Sequence, residues 1–448
     1  MEIKEIVANS AEFTNVLSSS SILNIANRVL SYINKELVFH NERTAYIALK
    51  ISQKYKMNEK CSVQNLVVLA LLHTIGFFRE SIIGDYNPNS SDITYFSDDK
   101  MVHSRYVFGC YYLEFMTPLH KDALALEDFD EPFNPDLKAY VYQEDYRSII
   151  LFSSYVAEFI KNNPDTPLPT DLNELAPSKF DPEILKAFYE VNKDCLIENN
   201  ISSQDYRGEL ANYIEGIEFS PEDKLNFFKL LVYLLDFKST VTLTHSINTS
   251  CYALALAIRC GLCYRDLQRL FTSAVLHDIG KIATPQRILE SPGKLSPEEM
   301  AIMRYHVNHS KRILQGLVPD DILENVFRHH EKLDGSGYPN KITGDKITKL
   351  QRILTVADIT SALNDSRSYK GEFSKEKTLS IMQEMAEKGE LDKEIVKTLV
   401  SDFDGVMEDM KNLQQILKVD YSNVMIKFNE YLLNNTEFFE DFAELEEV

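Results

Sequence analysis

The sequence predicts an all-α protein made of two tandem copies of one helical domain. Three observations carry this. Apolar residues recur at helical spacing, and no convincing run of alternating strand pattern appears. Glycine and proline number only 15 each in 448 residues, so helices are rarely punctuated. A set of sequence anchors also occurs twice, in the same order and at nearly the same offset.

The bulk numbers set the bounds. At 448 residues the chain is too long for a single core. A net charge of -21 argues against a nucleic acid polymer or an anionic membrane surface as partner, since both need a basic footprint. A small anionic ligand needs only a few local cations and stays open. No run approaches the roughly 20 apolar residues of a membrane span. The N-terminus lacks the apolar stretch of a signal peptide. Six sparse cysteines suggest reduced thiols and a cytoplasmic protein. Cys260 and Cys263 form a lone CxxC, read as two buried thiols at a helix end.

The elements follow from local signals. Leu267, Leu270, Phe271, Ala274 and Val275 form one apolar stripe on a helix that ends near Ile279. Ser296-Pro-Glu-Glu299 supplies an N-cap, a proline at the first position and a capping-box glutamate. The helix it opens is expected to reach about Leu317. Pro319 precedes a short helix leading to His329-His330. Asp334-Gly-Ser-Gly-Tyr-Pro339 is dense in turn residues and reads as a loop. Another helix covers roughly Lys349 to Asn364, and Ser374 caps the next.

The repeat has three anchors. Leu69-Ala-Leu-Leu-His73-Thr-Ile-Gly76 matches Ser273-Ala-Val-Leu-His277-Asp-Ile-Gly280. Helical stretches beginning at His40 and His245 precede them at similar separations. Phe180-Asp-Pro-Glu-Ile-Leu185 matches Leu391-Asp-Lys-Glu-Ile-Val396. The expected organisation is a degenerate copy over 1–195, a polar linker over 196–224, the second copy over 225–406 and an acidic helical tail over 407–448. The copies differ where chemistry would reside. Thr74 replaces Asp278, Phe77 replaces Lys281, Ser153 stands for Asp358, and the first copy has no His-His pair.

The second copy holds His245, His277, Asp278, His306, His329, His330 and Asp358. A single histidine on an apolar helix is usually a packing or surface residue. Five imidazoles from four stretches, beside a carboxylate, are hard to explain as packing, because buried polar groups need partners. His309 is read as a surface residue. His40, His73, His103 and His120 lack accompanying acids and read as structural or vestigial. Seven ligands exceed one ion's needs. Two divalent ions bridged by Asp278 fit, and such a pair holds a hydroxide at neutral pH and stabilises an in-line phosphoryl displacement. Imidazole and carboxylate donors suit Fe or Mn, with Zn also admissible.

Three strings then carry a family resemblance: His277-Asp278-Ile-Gly-Lys281, His329-His330-Glu-Lys-Leu-Asp-Gly-Ser-Gly337-Tyr338-Pro339 and Val356-Ala-Asp358. Over about residues 240 to 405 the chain resembles the HD-GYP branch of the HD phosphohydrolases. The resemblance implies hydrolysis of cyclic di-GMP, or of a related cyclic dinucleotide such as cyclic GMP-AMP, to a linear product. It implies one metal held by His245, His277, Asp278 and Asp358, and another by Asp278, His306, His329 and His330. Lys281 would clamp the reacting phosphate, and Gly337, Tyr338 and Pro339 would border the substrate groove. Arg367 and Lys370 match the family's basic residues for phosphate or guanine. Three positions depart from the pattern: Val241, where some members carry a third-metal glutamate, and Ser239 and Ser361, where the family often or usually has aspartate. Two other readings stay open, a low-turnover cyclic dinucleotide receptor and a hydrolase of another phosphoester. The degenerate copy reads as a packing partner or a homodimerisation surface, with a regulatory domain for an unknown input as the sharper alternative.

Overall fold

The computed structural model describes residues 3–78, 100–169, 172, 179–237, 240–291, 293–365, 373–417 and 421–434. Among the described residues every regular element is helical, and one isolated β-bridge pairs Asp334 with Thr343. The all-α prediction holds. No helix among them is long and apolar enough to cross a membrane.

Each copy is arranged around a central helix. In the first, Lys35–Ser52 packs against Val63–Leu72 and Gln143–Asn162. In the second, Thr240–Arg259 packs against Tyr264–Leu276 and Lys349–Asn364. The interiors of these central helices, Ala45–Ala48 and Ala253–Ala257, are inaccessible to solvent, as expected for helices flanked by neighbours.

The starts of the helices are written in the sequence. Asn34 Oδ1 accepts from the N–H groups of Glu36 and Leu37, and Ser62 Oγ from that of Asn65. Ser296 and Glu299 form the expected capping box, and Thr348 and Gln351 form a second. Asp181 and Asp392, the third repeat anchor, each cap the helix that follows. Gly76 and Gly280 share a steric duty. A Cβ at Gly76 would collide with the Arg105 carbonyl, and one at Gly280 with the His306 carbonyl. The turn after each copy's apolar helix therefore lies directly on the backbone of a neighbouring helix.

Three expectations need correction. The helix opened by Ser296 is two helices, Pro297–Arg304 and His306–Leu314, broken at Tyr305. The His306 ring takes the Met303 carbonyl that an unbroken helix would offer to residue 307. The second piece stops at Leu314 because Gln315 leaves helical geometry and Gly316 turns left-handed at φ +77. Cys260 is half-buried and Cys263 exposed, so the CxxC is not a pair of buried thiols.

The packing units are discontinuous in sequence, unlike the expected blocks. One comprises residues 1–33 and 218–418, the other 34–217 and 419–448. In the second-copy unit, Phe13 is buried against Tyr264 and Phe271, with ring centroids 5.6 and 5.3 Å away. Arg28 there donates to the carbonyls of Ile313 and Gln315. In the first-copy unit, Tyr421–Asn434 packs on Lys100–Met116, where Phe428 meets Phe108 at 5.3 Å. Much of the expected linker is helical, as Leu196–Ser203 and Tyr206–Glu215. These are amphipathic helices, burying Ile197, Ile201, Leu210 and Ile214 within a polar sequence.

Candidate metal centre

Five stretches of the second copy converge on one point. His245 comes from the central helix Thr240–Arg259. His277 and Asp278 follow directly on Tyr264–Leu276. His306 opens His306–Leu314, His329 and His330 follow Asp320–Phe327, and Asp358 lies within Lys349–Asn364. All seven residues expected as ligands meet there, in two groups. Asp278, His306, His329 and His330 form one; His245, His277 and Asp358 form the other; within each, the ligand atoms lie within 4.8 Å of one another.

Asp278 faces both groups. Its Oδ2 is 3.2 Å from His277 Nε2 and 3.8 Å from His245 Nε2, while its Oδ1 is 3.2 Å from His306 Nε2 and 3.9 Å from His329 Nε2. Asp358 Oδ1 lies 2.9 Å from His245 Nε2, and its Oδ2 3.4 Å from His330 Nδ1. Lys281 Nζ stands 2.5 Å from Asp278 Oδ2.

The backbone aims the rings. Nδ1 of His277, His306 and His329 lies 2.6, 2.8 and 2.7 Å from the carbonyl three residues earlier, at Ala274, Met303 and Val326. A carbonyl only accepts, so each Nδ1 carries the proton and each Nε2 keeps a free lone pair. Burial pushes His329 well below the usual histidine range, His306 down to about 4 and His330 to about 3, so all three are neutral at pH 7. Burial opposes ionisation of Asp278 too, but His277 and Lys281 outweigh it and hold this carboxyl well below its ordinary range. His245 is the exception. Burial pushes it down, yet hydrogen bonds to Asp358 and Asp365 raise it to about 9.

The donor set fits a metal on an independent observation. His277 Nε2 and Asp278 Oδ1 are buried at the centre without a hydrogen-bond partner. Buried polar atoms left so are rare, and a divalent cation between these groups would satisfy both.

The Gly337-Tyr338-Pro339 loop is tied to the same point. Glu331, 1% exposed, accepts from the N–H groups of Asn340, Lys341 and Ile342 at 2.6, 3.1 and 3.1 Å. A Cβ at Gly337 would collide with the backbone of His330, Glu331 and Lys332. The Tyr338 ring consequently rests on that of His330, centroids 4.6 Å apart, and Arg304 lies over the Tyr338 ring at 5.2 Å. Sequence reading gave no role to Glu331, Arg304 or Asp365. The first had a signal, since an acid inside a turn-rich string is well placed to collect loop N–H groups. Arg367, Lys370 and Ser239 lie outside the described residues, as does the side chain of Val241.

The first copy holds the same point differently. Ser154, rather than Ser153, does what Asp358 does: its Oγ is 2.8 Å from His40 Nε2 and 3.2 Å from His73 Nε2. Phe129 meets His73 as His329 meets His277, with centroids at 5.4 and 4.9 Å. Two hundred residues separate Phe129-Asp130-Glu131 from His329-His330-Glu331. Two first-copy histidines do have acids, contrary to expectation: His40 Nδ1 is 3.3 Å from Glu158, and His103 Nδ1 is 2.6 Å from Asp130. His309 is likewise no plain surface residue, being half-buried between Tyr32 and Tyr305.

Comparison with known proteins agrees with the motif reading. The HD domain family is matched over residues 229–395. The chain is 33% identical over 180 residues to 3'3'-cGAMP-specific phosphodiesterase 1 of Vibrio cholerae, covering 40% of this chain and 42% of that protein. It is 36% identical over 139 residues to the cyclic di-GMP phosphodiesterase response regulator RpfG of Xanthomonas campestris pv. campestris, covering 30% and 36%. The matches thus span less than half the length of these relatives. A crystal structure of a cyclic GMP-AMP specific phosphodiesterase of V. cholerae (V-cGAP3) is similar in fold, with TM-score 0.55 and 19% identity, covering 87% of this chain and 98% of that one. Residues 229–395 thus match the HD domain family, and the motifs within them are similar to those of its HD-GYP branch.

Proposed function

We propose that the chain is a metal-dependent phosphodiesterase that opens a cyclic dinucleotide to a linear product. The observation that carries this is Asp278, whose two carboxylate oxygens face two separate groups of imidazole ligands. That is the donor arrangement of a dinuclear site, with His245, His277, Asp278 and Asp358 around one ion and Asp278, His306, His329 and His330 around the other. Fe or Mn suits these donors best, and Zn is admissible. Bound there, the ions would supply Lewis acidity and a nucleophile at neutral pH.

The chain's own residues do the rest. Asp278 and Asp358 place negative charge between the imidazoles. Lys281 presents an ammonium at the rim, where it stabilises charge developing on phosphoryl oxygens. Gly337, Tyr338 and Pro339 border the substrate, with Tyr338 held in place by His330 and Arg304. Arg367 and Lys370 are proposed to contact phosphate or guanine. The 3′ oxygen leaves on opening of the ring. Relatives named for 3'3'-cGAMP and for cyclic di-GMP support the substrate class.

The test is to incubate Mn- or Fe-loaded protein with cyclic di-GMP and with 3'3'-cGAMP and to resolve the products. Conversion of either to a linear dinucleotide is expected. Tight binding without product would make the protein a receptor, and neither binding nor product would point to another phosphoester.

A further inference from the structure

His245 differs from His277, His306 and His329 in what holds it. His277, His306 and His329 are oriented by backbone carbonyls, which no substitution of a side chain removes. His245 is oriented by side chains alone. Its Nδ1 lies 3.0 Å from Asp365 Oδ2 and 3.1 Å from Ser361 Oγ. Ser361 in turn donates to Asp365 Oδ2 at 2.7 Å. The other carboxylate oxygen, Oδ1, accepts from Asn248 Nδ2 at 2.6 Å, and Asn248 Oδ1 accepts from Gln414 Nε2 at 2.6 Å. Both lone-pair faces of Asp365 are thus used, and its side chain is 8% exposed. The connected path runs from a ring at the metal centre to residue 414, beyond the matched domain at 229–395.

We propose that Asp365 is the positioning residue of His245, and that Asn248 and Gln414 fix Asp365, so that metal affinity in this half of the site depends in part on a residue beyond the matched HD domain. The inference rests on the metal-binding reading above. A carboxylate that receives the Nδ1 proton keeps Nε2 as the free donor and fixes the plane of the ring. Ser361 alone does not do this: an uncharged hydroxyl can donate or accept, and it is its donation to Asp365 that leaves its oxygen as an acceptor toward Nδ1. The residue missed in the sequence therefore takes up a task that the family pattern would lead one to seek at position 361.

The experiment titrates metal-free full-length protein with Mn2+, with thermal unfolding of the metal-free form measured alongside. Wild type and His277→Asn test the underlying reading: if wild type binds no Mn2+, that reading fails by itself. Given binding, Asp365→Asn, which keeps the shape and loses the charge, is expected to weaken the affinity about 10- to 100-fold. Metal-free thermal stability should fall only modestly, by the loss of the Asp365–His245 pair, and should be recovered with the affinity in the Ser361→Asp rescue variant. Gln414→Leu is expected to weaken it by a smaller factor. Ser361→Asp in the Asp365→Asn background puts a carboxylate back within reach of the same Nδ1 and is expected to restore most of the affinity. Wild-type affinity in Asp365→Asn would overturn the proposal. So would a loss that appears equally as metal-free instability and is not rescued by the second carboxylate.

Discussion

The two copies build one scaffold around two different centres. In both, a histidine from the central helix meets a histidine after the apolar helix, with ring centroids 5.4 and 5.6 Å apart, and a glycine turn lies on the neighbouring backbone. In the second copy the space between them is lined by imidazoles and carboxylates, two of whose atoms lack any hydrogen-bond partner. In the first it is filled. The Ser154 hydroxyl takes both histidines, and Phe129, fully buried, packs its ring against His73 and, at 4.6 Å, against Tyr106. Thr74, in the place of Asp278, turns to Asn41 at 2.9 Å. Apolar packing, the Ser154 hydroxyl and the Glu158 carboxylate 3.3 Å from His40 thus occupy in one copy the space that imidazoles and carboxylates line in the other. The first copy keeps the same helices and glycine turn without this ligand set, so the ligands in the second copy are best explained by chemistry.

The strongest way to break this contrast is at Asp278. Asp278→Ala is expected to lower turnover about 1000-fold or more, a loss of about 4 kcal/mol at 1.36 kcal/mol per tenfold, with helical circular dichroism preserved. The reciprocal change, Thr74→Asp, should add no bound metal by elemental analysis, because Phe129 still occupies a ligand's place. A gain of metal there would mean the first centre lacks only one residue.

Stability tests the filling of the first centre. Phe129→Ala removes a buried ring and should cost about 3–5 kcal/mol in denaturant unfolding, with metal content unchanged. A cost below about 1 kcal/mol would show that this ring does not fill the site. Next come the paired glycines. Gly76→Ala and Gly280→Ala each force a methyl group into a neighbouring backbone and should each cost about 1–3 kcal/mol. Only Gly280→Ala should also reduce bound metal, since its turn carries Asp278. Equal effects on metal would erase the difference between the copies.

The smallest expected effect is a pH dependence in the first copy. Burial lowers the His103 pKa, but Asp130 more than compensates and leaves it raised above the ordinary 6.5. A raised folded-state value gives stability that is complete below about pH 6.5 and is lost as pH rises through the folded pKa. His103→Gln should flatten that part of the melting-temperature profile above about pH 6.5. An unchanged profile would show that the pair is not coupled to folding.

The helical class, the caps at Ser296 and Ser374 and the seven converging side chains were legible because each rests on a local string or a repeat. The His-Asp, His-His and Val-Ala-Asp strings name residues that a fold must bring together for their polarity to be satisfied. Other features depended on tertiary partners. Nothing near Phe13 announces that it packs on Tyr264 and Phe271, so the interleaved units were not foreseen. Asp365 was invisible because its value lies in meeting His245 across 120 residues. The shift from Ser153 to Ser154 was a one-residue slip of helix phase, which apolar pattern alone does not fix.

The central claim is that one copy binds metal and the other does not. It is tested most directly by the metal-to-protein ratio of wild type, His277→Asn and His73→Asn, each purified and loaded with Mn2+ in the same way. His277→Asn is expected to lose most of the bound metal, while His73→Asn should keep the wild-type ratio. A fall in His73→Asn matching that in His277→Asn, with both proteins folded, would contradict it.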